Sequence, residues 1–239
     1  EQARAEKEST KEMVSDISHQ LKTPVAALDT CFSILLRNNL SETEQQEFRI
    51  RCRSALDGLE TLLQSLLEIS KLETGLIQLD QKTLPIMDTI ISAVNRTYPK
   101  AAEKGIELIF DCNESLEHCA LMQDKRWLGE AIINVLDNAI KYTPAGSHIV
   151  LSAAAQGENA VIQVSDDGPG IPDEAKEKVF EMFSTGEKRI SDSRRSLGLG
   201  LALCRTIIAA HGGTITLSVN KPHGCIFTFT LPLGEVSLH

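Results

Sequence analysis

The sequence predicts an α+β chain in two parts: an N-terminal antiparallel helical hairpin, then an α/β sandwich with helices on one face of a mixed sheet. Three observations carry this reading. Apolar residues step by three and four through Val14, Ile17, Leu21, Pro24, Leu28, Cys31 and Leu35, the seam of a coiled coil or helical bundle. Composition shifts near Glu73-Thr-Gly75, which divides the chain into residues 1–74 and 75–239. Beyond that point strand and helix signals follow one another in irregular order, as in an α+β sandwich.

The first helix carries Pro24 in its interior, where a proline removes one hydrogen bond and should kink the chain. Asn38-Asn39 marks a stop, and Ser41-Glu-Thr-Glu44 reads as a capping box that opens a second helix. The seam of that helix is Ala55/Leu56, Leu59, Leu62/Leu63, Leu66 and Ile69/Leu72. The short connection makes the two helices antiparallel. Two helices of about 30 residues, each ~45 Å long, cannot close a core alone, so the stripes predict a second copy and a four-helix bundle.

In the second part, Leu76-Ile-Gln-Leu79 is a short strand candidate. Leu84 to Lys104 is a helix with Pro85 in its first turn and Gly105 past its end. Ile106–Cys112 is a strand, and Cys119–Met122 a second candidate. Asp124 caps a helix that runs to Tyr142 and stops before Pro144. Strands follow at Ser147–Ala155 and Ala160–Ser165, with a short helix at Asp173–Phe180. Ser184–Leu197 is polar and without period, a mobile loop. Gly200–His211 is a helix stopped by Gly212-Gly213. Thr214–Asn220 and Cys225–Leu231 form a closing hairpin.

Composition excludes some functions. A net charge of -9 over 239 residues argues against nucleic-acid binding, and one Trp with 4% aromatic residues argues against base-stacking platforms. The six cysteines form no C-x-x-C pair and read as buried thiols of a reducing compartment. The spacing of Cys112, His118 and Cys119 fits no common zinc pattern. No apolar run reaches the length of a membrane span, and the chain begins at Glu1, as a piece of a longer protein would.

Four stretches carry chemistry. Glu130, Asn134, Asn138 and Lys141 fall on one face of a helix whose other face is Ala131, Ile132, Val135, Leu136 and Ala139. Carboxamide and carboxylate oxygens there suit Mg²⁺, which shares phosphate oxygens and keeps waters, and Lys141 adds a point charge for phosphate. A plain solvated face is the alternative. Asp166-Asp-Gly168-Pro-Gly170 follows a strand, and a carboxylate on such a turn can accept the exocyclic amine of adenine; a simple strand-ending turn is the alternative. Gly198-Leu-Gly200-Leu201 opens a helix whose free N–H groups favour phosphate, although glycine pairs also mark hinges. Far upstream, His19 falls off the apolar seam and should stand in solvent, where an imidazole can attack a phosphoryl group. Thr23 lies one turn on, on the same face. An ordinary surface histidine is the alternative.

Ser18-His-Gln-Leu-Lys-Thr-Pro24 resembles the phosphoacceptor motif of the dimerisation domain of sensor histidine kinases. It departs at Gln20, where an acidic residue is usual; an amide can orient the imidazole but cannot accept its proton. The other three stretches, in this order over roughly residues 76–233, resemble the Bergerat-type ATP-binding fold shared with gyrase-like ATPases, Hsp90-like chaperones and MutL-like repair proteins. The resemblance implies ATP/ADP and Mg²⁺ as cofactors. It makes His19 the phosphoacceptor, with Gln20, Thr23 and Glu130 as further catalytic positions and Asn134 as the metal ligand. Asn138, Lys141 and Tyr142 then line the nucleotide site, Asp166 reads adenine, and Gly168 and Gly170 shape its turn. Gly198, Gly200 and Leu201 face the phosphates. Phe180 and Phe183 match the F box, a role compatible with ordinary core aromatics. Ser184–Leu197 becomes the ATP lid, with Lys188, Arg189, Arg194 and Arg195 as candidate phosphate contacts.

The His19 hairpin separates this chain from gyrase- or chaperone-like ATPases, which need no such histidine. The expected function is a homodimeric histidine kinase core that phosphorylates His19, in cis or in trans, and passes the group to an Asp of a response regulator. Dephosphorylation of that regulator is a possible added activity. Gln20 keeps a second reading open: a nucleotide-binding module acting mainly by docking or dephosphorylating the regulator. The fragment is expected to be cytoplasmic, and the whole protein anchored in the plasma membrane through a segment absent here.

Overall fold

A computed structural model describes residues 2–36, 40–112, 116, 119–184 and 198–233, with side chains from Val14 onward. Helices α1 (Gln2–Leu35) and α2 (Glu42–Glu73) form the hairpin. The capping box at its turn is complete: Glu44 N–H donates to Ser41 Oγ at 3.3 Å, and the Glu44 carboxylate accepts from Ser41 N–H at 2.9 Å and from its hydroxyl at 2.7 Å. The hydroxyl first, and the amide second, hold the Glu44 carboxyl below its usual range. The predicted stop at Asn38-Asn39 lies outside the described residues.

α1 continues through Pro24, whose missing N–H leaves the Gln20 carbonyl without its helical donor. The hairpin has two apolar stripes. One faces inward and includes Cys31, buried, with Ile17 and Leu21 partly so. The other is exposed: Val14, Val25, Phe32 and Leu36 on α1, and Ile50, Leu56, Leu63 and Leu67 on α2. Leu62 and Ile69 of α2 are almost solvent-free and belong to the same apolar core as the second part of the chain. Burying side chains of this kind contributes about 1.5–3 kcal/mol each.

The second part runs β1 (Lys82–Pro85), α3 (Ile86–Glu103), β2 (Glu107–Cys112), β3 (Ala120–Gln123), α4 (Lys125–Tyr142), β4 (His148–Gln156), β5 (Asn159–Asp166), α5 (Gly200–Ala210), β6 (Thr214–Val219) and β7 (Cys225–Pro232). β1 and β3 pair antiparallel as a small ribbon. The main sheet has the order β2-β4-β5-β7-β6, with β2 and β4 parallel and every other pair antiparallel. α4 packs between α3 and α5, and α5 also meets α2. Strict alternation along β5 buries Ala160, Ile162 and Val164, the period-2 signature of a sheet with one covered face.

Three expectations need correction. Leu76–Leu79 is not a strand: Leu76 is 78% exposed and no partner strand reaches it. The ribbon strand forms later, at Lys82–Pro85, where β3 supplies the partner. Pro85 therefore ends a strand and caps α3 instead of lying in its first turn. Asp173–Phe180 is two separate 3-10 turns, Asp173–Ala175 and Lys178–Phe180, not one helix. Within the predicted loop Ser184–Leu197, residues 185–197 lie outside the described residues, as do Lys188, Arg189, Arg194 and Arg195. All six cysteines are free thiols. Burial pushes Cys112 up to about 11 and Cys225 up to about 12, so neither is a ready nucleophile.

Candidate functional site

α4 is fixed at both ends. Asp124 Oδ1 accepts from the N–H groups of Arg126 and Trp127 at 3.1 and 3.2 Å. At the other end the Lys104 ammonium donates to the carbonyls of Ile140, Lys141 and Thr143 at 2.6, 2.7 and 2.8 Å. One cation thus satisfies three carbonyls that the helix leaves without partners. Nothing local in the sequence marks Lys104 for this role, since its three acceptors lie 36 to 39 residues on. Between these anchors Ala131, Ile132, Val135, Leu136 and Ala139 are buried, which turns Glu130, Asn134, Asn138 and Lys141 outward together. Glu130 meets Arg96 of α3 at 3.7 Å on the surface, a pair worth little energetically. The Lys141 ammonium stands 5.3 Å from the centre of the Tyr142 ring.

Asp166 ends β5 and is buried. Its Oδ1 accepts two main-chain N–H groups, Gly168 at 2.8 Å and Cys225 at 3.3 Å. Burial raises its pKa; those two donors oppose the rise, and the neighbouring Asp167 adds to it. Asp167 is engaged elsewhere, accepting His148 N–H at 3.1 Å. Of the two adjacent carboxylates, then, Asp166 alone is set into the turn. Gly170 has φ 76°, a left-handed conformation that favours glycine. A Cβ on Gly168 would lie 2.7 Å from Asp166 Oδ1 and 3.6 Å from the Tyr142 carbonyl. The glycine turn therefore lies against the end of α4.

The third element meets the first. A Cβ on Gly200 would lie 3.2 Å from Asn134 Oδ1, so glycine lets the start of α5 approach the α4 carboxamide. Among the described residues no side chain caps α5, which leaves its first N–H groups for another acceptor. Just before it, Gly198 (φ 68°) accepts the Phe183 N–H at 3.0 Å. Phe183 itself has φ 64°. Phe180 packs edge-on against Phe227, with centroids 6.3 Å apart, so the two phenylalanines also serve the core.

Two buried polar atoms have no partner among the described residues: Asn134 Nδ2 and Thr143 Oγ1. Orphans of this kind call for an explanation. Asn134 stands beside the start of α5, and Thr143 directly follows Tyr142 at the glycine turn. The donor set fits Mg²⁺ in the form that cation takes beside phosphates. Among the described residues no group of three His, Cys, Asp or Glu makes a cage, and a single carboxamide with phosphate oxygens and waters completes such a shell.

On the hairpin, His19 is exposed and Gln20 and Thr23 are half-buried. The Thr23 hydroxyl donates back to the His19 carbonyl at 3.3 Å. Cys31 and Cys52 are neighbours across the two helices: burial first, and Cys31 second, hold the Cys52 thiol above its usual range. His19 lies twelve residues before Cys31, and Gln64 twelve after Cys52. Equal rise along antiparallel helices brings His19 to the level of Gln64. Gln64, Glu60 and Glu68 form one wall of a groove whose other wall is Arg126, Glu130 and Asn134. The hairpin histidine and the α4 carboxamide thus share one level of the molecule.

Comparison with known proteins agrees with this layout. Residues 9–75 match the His Kinase A (phospho-acceptor) domain, and residues 123–235 the histidine kinase-, DNA gyrase B- and HSP90-like ATPase. The chain is 34% identical over 223 residues to the sensor-like histidine kinase SenX3 of Mycobacterium tuberculosis (strain ATCC 25618 / H37Rv), covering 93% of this chain and 53% of that protein. It is 32% identical over 225 residues to the sensor protein KdpD of Clostridium acetobutylicum, covering 92% of this chain and 24% of that one. The chain therefore spans about half or less of these relatives. Among solved structures, the histidine kinase ThkA in complex with the response regulator protein TrrA superposes with a TM-score of 0.77 at 26% identity, over 97% of this chain and 64% of that one. The histidine kinase AdeS of Acinetobacter baumannii shares the fold, with a TM-score of 0.71 at 22% identity over 90% and 98% of the two chains. A phosphoacceptor hairpin and an ATPase fold in this order, with relatives of this kind along nearly the whole length, place the chain in the sensor histidine kinase family, of which it carries the catalytic core.

Proposed function

We propose that this core binds ATP with Mg²⁺ in residues 75–239 and moves the γ-phosphoryl group to His19 of the hairpin, residues 1–74. A ring nitrogen of His19 forms the N–P bond as the bond to the β-phosphate oxygen breaks, and ADP leaves. The phosphoryl group then passes to an aspartate of a response regulator, the partner named for the related ThkA. The observation that carries this reading is the Asn134 carboxamide, its Nδ2 buried without a partner and its Oδ1 against Gly200 at the start of α5, at the level of an exposed His19. Asn134 would hold Mg²⁺, which supplies charge neutralisation at the phosphates. Asn138, Lys141, Gly198, Gly200 and Leu201 line the phosphate region, Tyr142 flanks the nucleotide, and Glu130 stands at the groove facing the hairpin. The exposed stripe from Val14 to Leu67 supports pairing of two hairpins into a four-helix bundle. Among the described residues no helix is long and apolar enough to cross a membrane. The test is labelling with γ-phosphate-labelled ATP: the label should be lost in acid and kept in base, and acid-stable label would refute phosphohistidine.

Asp166 gives a separate prediction. Asp166→Asn removes a charged acceptor, and hydrogen bonds to charged groups are worth roughly 1.5–3 kcal/mol, so ADP affinity should fall about tenfold to a hundredfold. The pH dependence has a definite sign. Burial holds the free carboxyl above its ordinary pKa, and an amine donor favours the ionised form. Affinity should therefore rise with pH through that raised pKa and level off above it. Calorimetry of the two proteins across pH isolates this contribution from titration of the nucleotide; a dependence equal in both would remove Asp166 from the site.

Gln20 bears on rate. A positioned base contributes about 10²–10⁴-fold to proton transfer, but neutral imidazole already offers a free lone pair. Gln20→Glu should therefore raise the initial rate of His19 labelling by less than that full range. An unchanged or lowered rate would show that a missing base does not limit this enzyme.

A further inference from the structure

The turn between β6 and β7 is not among the motifs that mark the nucleotide site, yet it closes directly on Asp166. Asn220 Nδ2 donates to the Asp166 carbonyl at 2.9 Å. A carbonyl oxygen only accepts, so the Asn220 side chain must present its amide nitrogen there. Asn220 N–H also donates to the Gly224 carbonyl at 3.1 Å, which locks the turn on itself. Gly224 (φ 111°) approaches so closely that a Cβ would lie 1.8 Å from the Asp166 carbonyl oxygen; no side chain fits. The next residue, Cys225, sends its N–H to Asp166 Oδ1.

Together these contacts hold Asp166 by main chain and side chain. Oδ1 takes both N–H donors, while Oδ2 accepts none among the described residues. We infer that the β6–β7 turn is part of the base-recognition apparatus, and that Asn220 is a positioning residue which aims Asp166 Oδ2 at the six-position of the purine. This rests on the reading of Asp166 given above. It also explains why the turn makes a side-chain bond at all. Asn220 spans 54 residues to reach the Asp166 main chain, where a hairpin turn needs only local partners. Freed of it, the Asp166 backbone can shift without unfolding β5, and the carboxylate loses its alignment with the base.

The consequence is one of specificity. An adenine presents an amine at the six-position, and hypoxanthine presents a carbonyl, which an aimed carboxylate rejects. ADP and inosine diphosphate are therefore the probes, titrated by calorimetry into the parent chain, Asn220→Ala, Asn220→Asp and Asp166→Asn. Asp at 220 keeps the shape and loses the donor, so it carries the test if the alanine variant folds poorly. For both 220 variants the preference for ADP over inosine diphosphate should fall at least fivefold, with inosine diphosphate affinity within about twofold of the parent. A general loosening would weaken both nucleotides equally. Equal weakening, or an unchanged preference, in both variants overturns the role of Asn220, provided Asp166→Asn itself reduces the preference. If Asp166→Asn leaves the preference intact, the failure lies in the reading of Asp166 and the inference falls with it.

Discussion

His19→Ala should abolish autophosphorylation while leaving ADP affinity unchanged. His19 is exposed on α1, and alanine is the better helix former, so the hairpin should lose nothing by the change. The other described histidines are poor substitutes. His148 lies 3.4 Å from each of two carboxylates, Glu107 and Asp167. His211 is buried, with Nδ1 2.8 Å from the Ile207 carbonyl and Nε2 accepting Asp124 N–H at 3.1 Å, so neither nitrogen is free to attack. His223 is exposed, but on the β6–β7 turn, outside the hairpin that carries the phosphoacceptor motif. The check is acid-labile label in parent and mutant at equal nucleotide saturation. Label that persists in the mutant would place the phosphoacceptor elsewhere.

How much of this was legible in the residues differs by element. The α4 stripe was readable because both its faces are local: a period of 3.6 fixes which side chains share a side whatever the rest of the chain does. The capping box at Ser41 and the N-cap at Asp124 are equally local, and both formed as read. β1 was misplaced because short strands are made by their partners. Leu76–Leu79 is more apolar than Lys82–Pro85, yet only the latter meets β3, a pairing that spans about 40 residues and leaves no period in the sequence. The same holds within the site. Asp166 announces itself by its glycines, but Asn220, Gly224 and Cys225 join it only through the antiparallel register of β5 and β7. Lys104 caps α4 from the end of another helix. Residues proposed for the nucleotide site sit in compact motifs; those that hold them in place are gathered by tertiary structure.

Asn134→Ala should fold more stably than the parent and fail as a kinase. Asn134 Nδ2 is buried without a partner, and an unsatisfied buried polar atom costs about 1–3 kcal/mol. Removing it from a helix interior, and replacing asparagine with the best helix former, should raise Tm by a few degrees. The buried amide nitrogen is therefore a cost to the free protein, and the proposed role of the carboxamide in the nucleotide complex would account for its place there. There it would supply the one protein oxygen to a shell otherwise made of phosphate oxygens and water. It would also fix the phosphates against the start of α5. Losing electrostatic stabilisation of a transferring group costs about 10²–10³-fold for a single donor. His19 labelling should fall at least that far, while adenine recognition through Asp166 is kept. Two measurements decide it, thermal unfolding without nucleotide and the initial rate of labelling at saturating ATP. A mutant that is both more stable and fully active would mean the stripe is a solvated face with one badly buried amide. A mutant that is less stable would mean Asn134 has a structural partner in the free protein and that its place beside Gly200 needs no nucleotide to explain it.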